Sequence, residues 1–306
     1  MFAPSSIKAE SQKRCATELL SLDSSHRREV MTQLCFDRIA QKQEFLTDRF
    51  HDTEDWNETA YYMLLRALDI RKNRAVYERL AHILPYRYIC RVGYDRTAIE
   101  AMLLGCAGLL PRLSLVFRDD EHIAELNSIF EYNSHKYELD SISIEEWQLT
   151  GVKGDNHPVI KLLQLASVLS QHEYLLNDML ACRTKLDVER LFCNSSIPQW
   201  AGRLIMDESY AGPFTRVKAH MLGINVVAQI QILYSEYTMR RDLDSRGVDL
   251  LEQLPAESNQ FISRWAKLGV KAENALESQA LLQLTNSYCG ELKCEKCPFR
   301  RFVDAK

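Results

Sequence analysis

Residues that interrupt helices are scarce in this sequence. It has only 11 glycines and 8 prolines in 306 residues, too few for a chain of many short strands and tight turns. No run approaches eighteen apolar residues, so no membrane-spanning helix and no membrane partner are expected. The opening "MFAPSSIKAESQKR" lacks a charged region followed by an apolar core, so no secretory leader is expected. Positive charge is not in excess either. The 38 Lys and Arg against 42 Asp and Glu leave a net charge of −4, which argues against wholesale attraction to nucleic acid and leaves room only for a local basic face.

Catalytic motifs are missing too. There is no Walker loop, no G-x-G-x-x-G, no G-x-S-x-G and no paired-carboxylate motif. "HEY" at His172 lacks the second histidine of a zincin helix. "DDEH" at Asp119–His122 is better explained as acidic residues in a first helical turn, favoured by the helix dipole, than as metal ligands. No catalytic residue is therefore assigned.

What the sequence does have is helical periodicity nearly throughout. Val30, Leu34, Ile39, Leu46 and Phe50 mark one stripe of a long helix beginning near Ser24 or Ser25. "DWNE" reads as a capping box, Asp55 at the N-cap and Glu58 three residues on. Asn73 is expected to cap the next helix, with Val76, Leu80 and Ile83 on one face before Pro85. "TAIEAMLLGCAGLLP" reads as a buried helix that Gly105 and Gly108 open to a close neighbour and Pro111 ends. Another helix is predicted from about Asp119 to Tyr137, and one from Pro158 through Ser170. Asn274 begins the last helix, which delivers Cys289 near its end.

The fold class expected is all-α, an irregular multi-helix bundle or a stack of helix pairs with a short cysteine-bearing tail. "DSISIEEWQLTGVKGDNHP" has turn residues and no helical period. It suggests a helical part over 1–139, a connection over 140–157 and a second helical part over 158–306, or one continuous domain. Trp147, Trp200 and Trp265 are expected to pin irregular segments onto helices. In "ESQALLQL", Leu276, Ala280 and Leu284 form the apolar stripe. Ser278 and Gln279 lie off it, to bond a neighbouring loop rather than line a site.

Nine cysteines is many for such a chain. Cys15, Cys35, Cys90, Cys106, Cys182 and Cys193 are scattered singly and read as isolated core or surface residues in a reducing cytoplasm, not as a disulfide framework. The other three crowd into "YCGELKCEKCPFRRF", a C-x4-C-x2-C spacing followed by proline. Two thiols separated by two residues can face one point, as zinc or an iron–sulfur corner requires. Lys293, Lys296, Arg300 and Arg301 around them favour thiolate. Cys289, Cys294 and Cys297 are thus the candidate ligands of zinc or an iron–sulfur cluster. No cysteine or histidine follows them, so a fourth ligand must come from afar, with Cys193, Cys182, His157 and His220 as candidates. The alternatives are a reversible Cys294–Cys297 disulfide, which would make this a redox protein, or thiols that only pack the tail.

The most basic segment runs from Arg66 to Arg96, with Tyr77, Tyr86, Tyr88 and Tyr94 interleaved. Arg71, Lys72, Arg74, Arg87 and Arg91 are the residues a nucleic-acid backbone would meet. A solvated helix face with tyrosine rings in the core is the simpler reading.

"DWNETAYYMLLRALDIRKNRAVYERLAHILP", "EAMLLGCAGLLP", "LPAESNQFISRWAKLGVKAENALESQALLQL" and "YCGELKCEKC" together resemble a family of uncharacterised bacterial proteins, domain of unknown function 2851. The resemblance runs from about Leu34 and is densest after Pro255, through Trp265, Gly269, Asn274, Ser278, Gln279 and the three cysteines. It implies no activity. Members are longer, with an added N-terminal strand-like region whose acidic and histidine residues would suit a nuclease, and nothing here matches that region. Where members have an apolar residue and glycine after the last cysteine, this sequence has "PFRR". Over about a dozen residues the tail is also similar to the iron–sulfur tail of helix-hairpin-helix DNA glycosylases, whose fourth cysteine would fall near Val303. Together these readings favour a non-catalytic interaction or scaffold domain with a protein partner and a metal at its tail. A nucleic-acid-processing accessory factor and a redox protein are the alternatives.

Overall fold

A computed structural model describes residues 5–69, 71–152, 154–194, 200, 204–205, 208–209 and 212–300. The protein is all-α, as the periodicity predicts. Its helices are α1 (Ser5–Ser21), α2 (Ser24–Thr53), α3 (Trp56–Leu68), α4 (Arg74–Ile83), α5 (Tyr86–Arg91), α6 (Arg96–Cys106), α7 (Leu110–Val116) and α8 (Glu121–Tyr137). They continue with α9 (Pro158–Gln171), α10 (Leu175–Ala181), α11 (Lys185–Cys193), α12 (Arg216–Leu222), α13 (Ala228–Thr238), α14 (Arg241–Gln253), α15 (Gln260–Lys267) and α16 (Ala275–Gln283). A two-residue antiparallel pairing joins β1 (Leu204–Ile205) to β2 (Glu208–Ser209). Among the described residues no single helix is long and apolar enough to cross a membrane.

The chain divides into two units, and they are interleaved. The first takes residues 1–48, 183–185 and 231–306; the second takes 49–182 and 186–230. Segment 140–157 therefore does not separate two helical parts, because the chain on both sides of it belongs to the second unit. Though aperiodic, it is packed. Ile142 donates its N–H to the Cys106 carbonyl at 2.8 Å, and buried Trp147 donates Nε1–H to the Ala107 carbonyl at 2.8 Å. Hydrogen bonds taken from a neighbouring helix end replace those a regular element would supply internally.

In the second unit α6 packs against α8, α9 and α4. Gly105 is needed there, because a Cβ would strike the Phe130 ring of α8. Gly108 (φ +68°) turns the chain beside the Ile142 carbonyl, where a side chain would also clash. Pro111 does not end this helix. α6 stops at Cys106 and Pro111 opens α7, where its missing N–H costs nothing.

Two expected caps are redirected. Asp55 does cap α3, accepting the Asn57 N–H at 2.8 Å, but Glu58 does not complete a capping box. Its buried carboxylate accepts the N–H groups of Tyr86 (2.7 Å) and Arg87 (3.0 Å) at the start of α5. Asn73 precedes α4 without capping it; its side chain pairs with the backbone of Gln148. In each case a tertiary bond takes a side chain that local pattern assigns to its own helix.

In the first unit α16 packs on α14 and α15, and α1 packs on the widened turn that follows α16. Asn274 caps α16 through the Glu277 N–H at 3.0 Å. Ser278 accepts the Glu257 N–H at 3.1 Å, and Gln279 accepts from Arg38 (2.7 Å) and Lys42 (3.1 Å), so both bond neighbouring segments. Trp265 is fully buried and donates to Thr285 Oγ1 at 2.8 Å.

Candidate functional site

The tail is built by a change of helical pitch. After Gln283 the chain runs as a π-helical turn, Leu284–Cys289, and such turns recur at functional sites. Tyr288 anchors it by donating to Asp37 Oδ2 at 3.0 Å, and Ser287 by donating to Gln41 Oε1 at 3.0 Å. Gly290 then lies against the Thr285 carbonyl, where a Cβ would not fit. The chain reverses through Leu292, which takes a left-handed conformation (φ +55°). A single 3-10 turn, Cys294–Lys296, follows.

Pro298 opens one more helical turn at residues 298–300. A helix start leaves its first N–H groups without internal partners. Here the N–H groups of Phe299 and Arg300 point at the Cys297 sulfur and favour its thiolate, although burial wins and holds the thiol up at about 11. The Cys-Pro step thus supplies N–H donors to sulfur as well as fixing the exit of the chain.

Cys289, Cys294 and Cys297 line one cavity of about 410 Å³, and a fourth cysteine lines it with them: Cys15, from α1. The Cys289 thiol is hydrogen-bonded to the Cys15 sulfur, which lowers the Cys15 pKa and raises that of Cys289. Ser11, one turn before Cys15, lies with Oγ 3.7 Å from Cys294 Sγ. Cys289 and Cys297 are buried; Cys15 and Cys294 are partly exposed. Arg14 and Arg300 reach the same cavity, as do Glu10 and Glu18, with Arg14 paired to Glu18 at 3.0 Å.

Cys15 is therefore no isolated thiol, and none of the four residues considered as a fourth ligand lines this cavity; all four belong to the second unit. Cys182 donates to the Asp178 carbonyl at 3.3 Å, and His157 caps α9 through the Val159 N–H at 3.3 Å. His220 is 2.7 Å from Glu189. Cys193 is half-buried at the end of α11.

The donor set suits a metal centre: four sulfurs, backbone N–H groups on one of them and arginines at the rim. Among the described residues, however, no three His, Cys, Asp or Glu groups converge as ligands of a single ion. A tetrahedral zinc would draw four sulfurs to about 3.8 Å from one another, as a Zn–S bond of ~2.3 Å requires. A four-iron, four-sulfide cluster binds each cysteine through a different iron, so its sulfurs stand farther apart.

The sequence profile described as "Protein of unknown function (DUF2851)" matches residues 4–260. The chain belongs to this family. The matched span differs from the resemblance seen in the sequence. It begins near the N-terminus rather than at Leu34, and it stops before Trp265, Asn274 and the tail cysteines that carried the densest likeness. Of the four thiols in the cavity, only Cys15 falls within the part matched by the DUF2851 profile. No curated protein and no solved structure matches the chain.

The five basic residues considered for nucleic acid separate into two pairs and a single residue. Arg87 and Arg91 stack over the Tyr88 ring at 5.0 and 5.3 Å. Tyr77 and Tyr86 are buried, leaving their rings closed to bases. Arg74 lies 3.8 Å from Glu78. Arg71 and Lys72 line a different cavity, together with Lys161 and Lys218, two lysines that no sequence motif singles out.

Proposed function

We propose that this DUF2851 protein is a non-catalytic helical interaction domain whose first helix and C-terminal tail are stapled by an iron–sulfur cluster on Cys15, Cys289, Cys294 and Cys297. The observation that carries the reading is the meeting of four thiols from opposite ends of the chain in one cavity. A bound cluster would supply a crosslink between α1 and the tail. Closing so long a loop removes freedom from the unfolded chain, worth on the order of 5 kcal/mol by chain-entropy arithmetic. The raised pKa of Cys297 speaks against a freely reactive Cys294–Cys297 redox pair, which needs a depressed one.

The test is iron, sulfide and zinc analysis with an absorption spectrum on anaerobically purified protein, beside Cys15→Ser and Cys182→Ser variants. Iron and sulfide in wild type and Cys182→Ser, with loss in Cys15→Ser, are expected. Full iron content in Cys15→Ser would remove Cys15 from the set; zinc alone would replace the cluster with a single ion. Absence of all three from anaerobic protein would reduce the thiols to packing.

A further inference from the structure

Lysine is rarely buried, because its ammonium loses hydration that few neighbours restore. The second unit nevertheless gathers two buried or half-buried lysines at one cavity of about 510 Å³, with Arg71, Lys72, Asp69 and Asn156 on its wall. Lys161, on α9, is almost wholly buried and lies 3.6 Å from Asp69 Oδ2. Lys218, on α12, donates to the carbonyls of Ala67 and Leu68 at the end of α3, at 2.9 and 3.0 Å. Lys72 donates to the Thr150 carbonyl at 3.2 Å. The Asp69 carboxylate is shared with its own turn, where Oδ1 accepts the N–H groups of Arg71 (2.9 Å) and Lys72 (3.1 Å).

A structural reason exists for part of this. Lys218 satisfies open carbonyls at a helix C-terminus, which is a common role for lysine. That role needs one cation, and the wall holds four against a single carboxylate. Among the described residues Arg71, Lys72 and Lys218 make no ion pair. An ammonium has three donors; Lys218 spends two on carbonyls, and Lys161 meets Asp69 only as an ion pair at 3.6 Å. Burial and the neighbouring Lys161 lower Lys218 to about 7, and burial also lowers Lys161, the behaviour of cations that lack enough counter-charge. The helix bearing Lys218 runs directly into a second π-helical turn, Gly223–Val227, a feature found often beside functional sites.

We propose that this cavity binds a phosphate monoester, its dianionic oxygens taking the spare donors of Lys218, Lys161, Arg71 and Lys72. A tetrahedral dianion matches the excess charge and has acceptors in several directions at once, as convergent lysines and a guanidinium require. The monoester belongs to a small metabolite or to the end of a nucleic-acid strand. The site belongs to the second unit, shares no lining residue with the cysteine cavity of the first, and does not depend on whether a cluster is bound there.

The experiment is calorimetric titration of the full chain with inorganic phosphate, pyrophosphate and a nucleoside monophosphate, against sodium chloride at matched ionic strength. Saturable binding of one equivalent is expected. It should weaken by about tenfold or more in Lys218→Met, as loss of one charge-assisted hydrogen bond does, and similarly in Arg71→Ala, whose exposed side chain can be removed without disturbing the core. Binding should also take up protons in wild type and not in Lys218→Met, seen as a buffer-dependent heat. A single-stranded oligonucleotide with a 5′-phosphate that binds better than its hydroxyl-ended twin would assign the strand-end source; a nucleoside monophosphate that binds as well as that strand would assign the small-molecule source. Heat indistinguishable from the chloride control overturns the site. So does binding unchanged in both variants, or equal binding of the two oligonucleotides with no affinity for the monophosphate.

Discussion

The two cavities hold opposite versions of the same electrostatic problem. In the first unit, the contact with Cys15 and then burial push Cys289 toward the neutral thiol, and burial does the same to Cys297. In the second unit, lysines meet where burial disfavours the positive ammonium, and Lys161 and Lys218 are pushed toward the neutral amine. Under the two proposals, the raised thiols and the lowered lysines would become favourable in their charged forms once the opposite charge arrives, iron for sulfur and a phosphate dianion for nitrogen. The difference lies in their construction. The thiols depend on segments from the two ends of the chain, whereas the lysines stand on neighbouring helices around the end of α3. The first should therefore respond to ligand loss by releasing a segment, and the second by changing its proton affinity.

The largest expected effect tests that release. Relative to cluster-loaded wild type, Cys15→Ser, which should lose the cluster, should be less stable in the first unit by on the order of 5 kcal/mol through loss of loop closure. Hydrogen exchange should then speed up in α1 and α16 and stay unchanged in α6 and α9. Equal acceleration in both units would break the contrast between them.

Glu100→Ala should cost about 3–5 kcal/mol in urea unfolding, and the loss should appear in the second unit. This buried carboxylate accepts Arg96 Nε at 2.9 Å and Trp200 Nε1 at 2.8 Å, with His122 at 3.4 Å, so its removal takes an acceptor from two donors at once. A change under 1 kcal/mol, to order of magnitude, would mean that the group is not buried as a charge.

Lys218 gives the pH arm. Its folded pKa of about 7 lies below the ordinary 10.5. Between those values the unfolded chain binds more protons, so ligand-free stability rises with pH across the window and is lost as pH falls toward 7. One proton corresponds to at most about 1.4 kcal/mol per pH unit. Lys161, Arg71, Lys72 and Asp69 face the same cavity, and raised thiols such as Cys106 and Cys182 act with the opposite sign. The informative quantity is therefore the difference between wild type and Lys218→Met in denaturant titrations at successive pH values. A flat difference from pH 7 to 10, roughly the span in which lysine can titrate here, would remove Lys218 as an unbalanced cation.

The smallest expected effect is a control on local structure. Asn274→Ala should cost about 1 kcal/mol through loss of the α16 cap, measured by thermal unfolding, without changing metal content.

Much of the helical frame was legible in the residues. Pro158 marks the start of α9 and Asn274 caps α16, whereas Asp120, expected within the first turn of α8, instead caps it through the N–H groups of His122 and Ile123, leaving Glu121 as the acidic residue of that turn. Gly105 announces a close neighbour, though not that the neighbour is Phe130. The errors fall where a side chain with a local use is claimed by a distant partner: Glu58 by the start of α5, and Asn73 by Gln148. α1 passed unremarked because its stretch "SSIKAESQKRCATELLS" is largely polar, with a narrow buried stripe through Gln12, Ala16 and Leu19.

The candidate sites divide along the same line. The all-α class and the C-x4-C-x2-C tail are written in the residues themselves, as is the basic step at Arg71 and Lys72. These are statements about residues within a few positions of one another, where chain geometry leaves little choice. Only the tertiary structure decided that Cys15 is the fourth thiol and that Lys161 and Lys218 join Arg71 and Lys72. Ser11 and Cys294, which approach within 3.7 Å, are 283 residues apart in the chain. Over such a separation contacts are set by how helices pack, and packing leaves no spacing in the sequence from which a partner can be read.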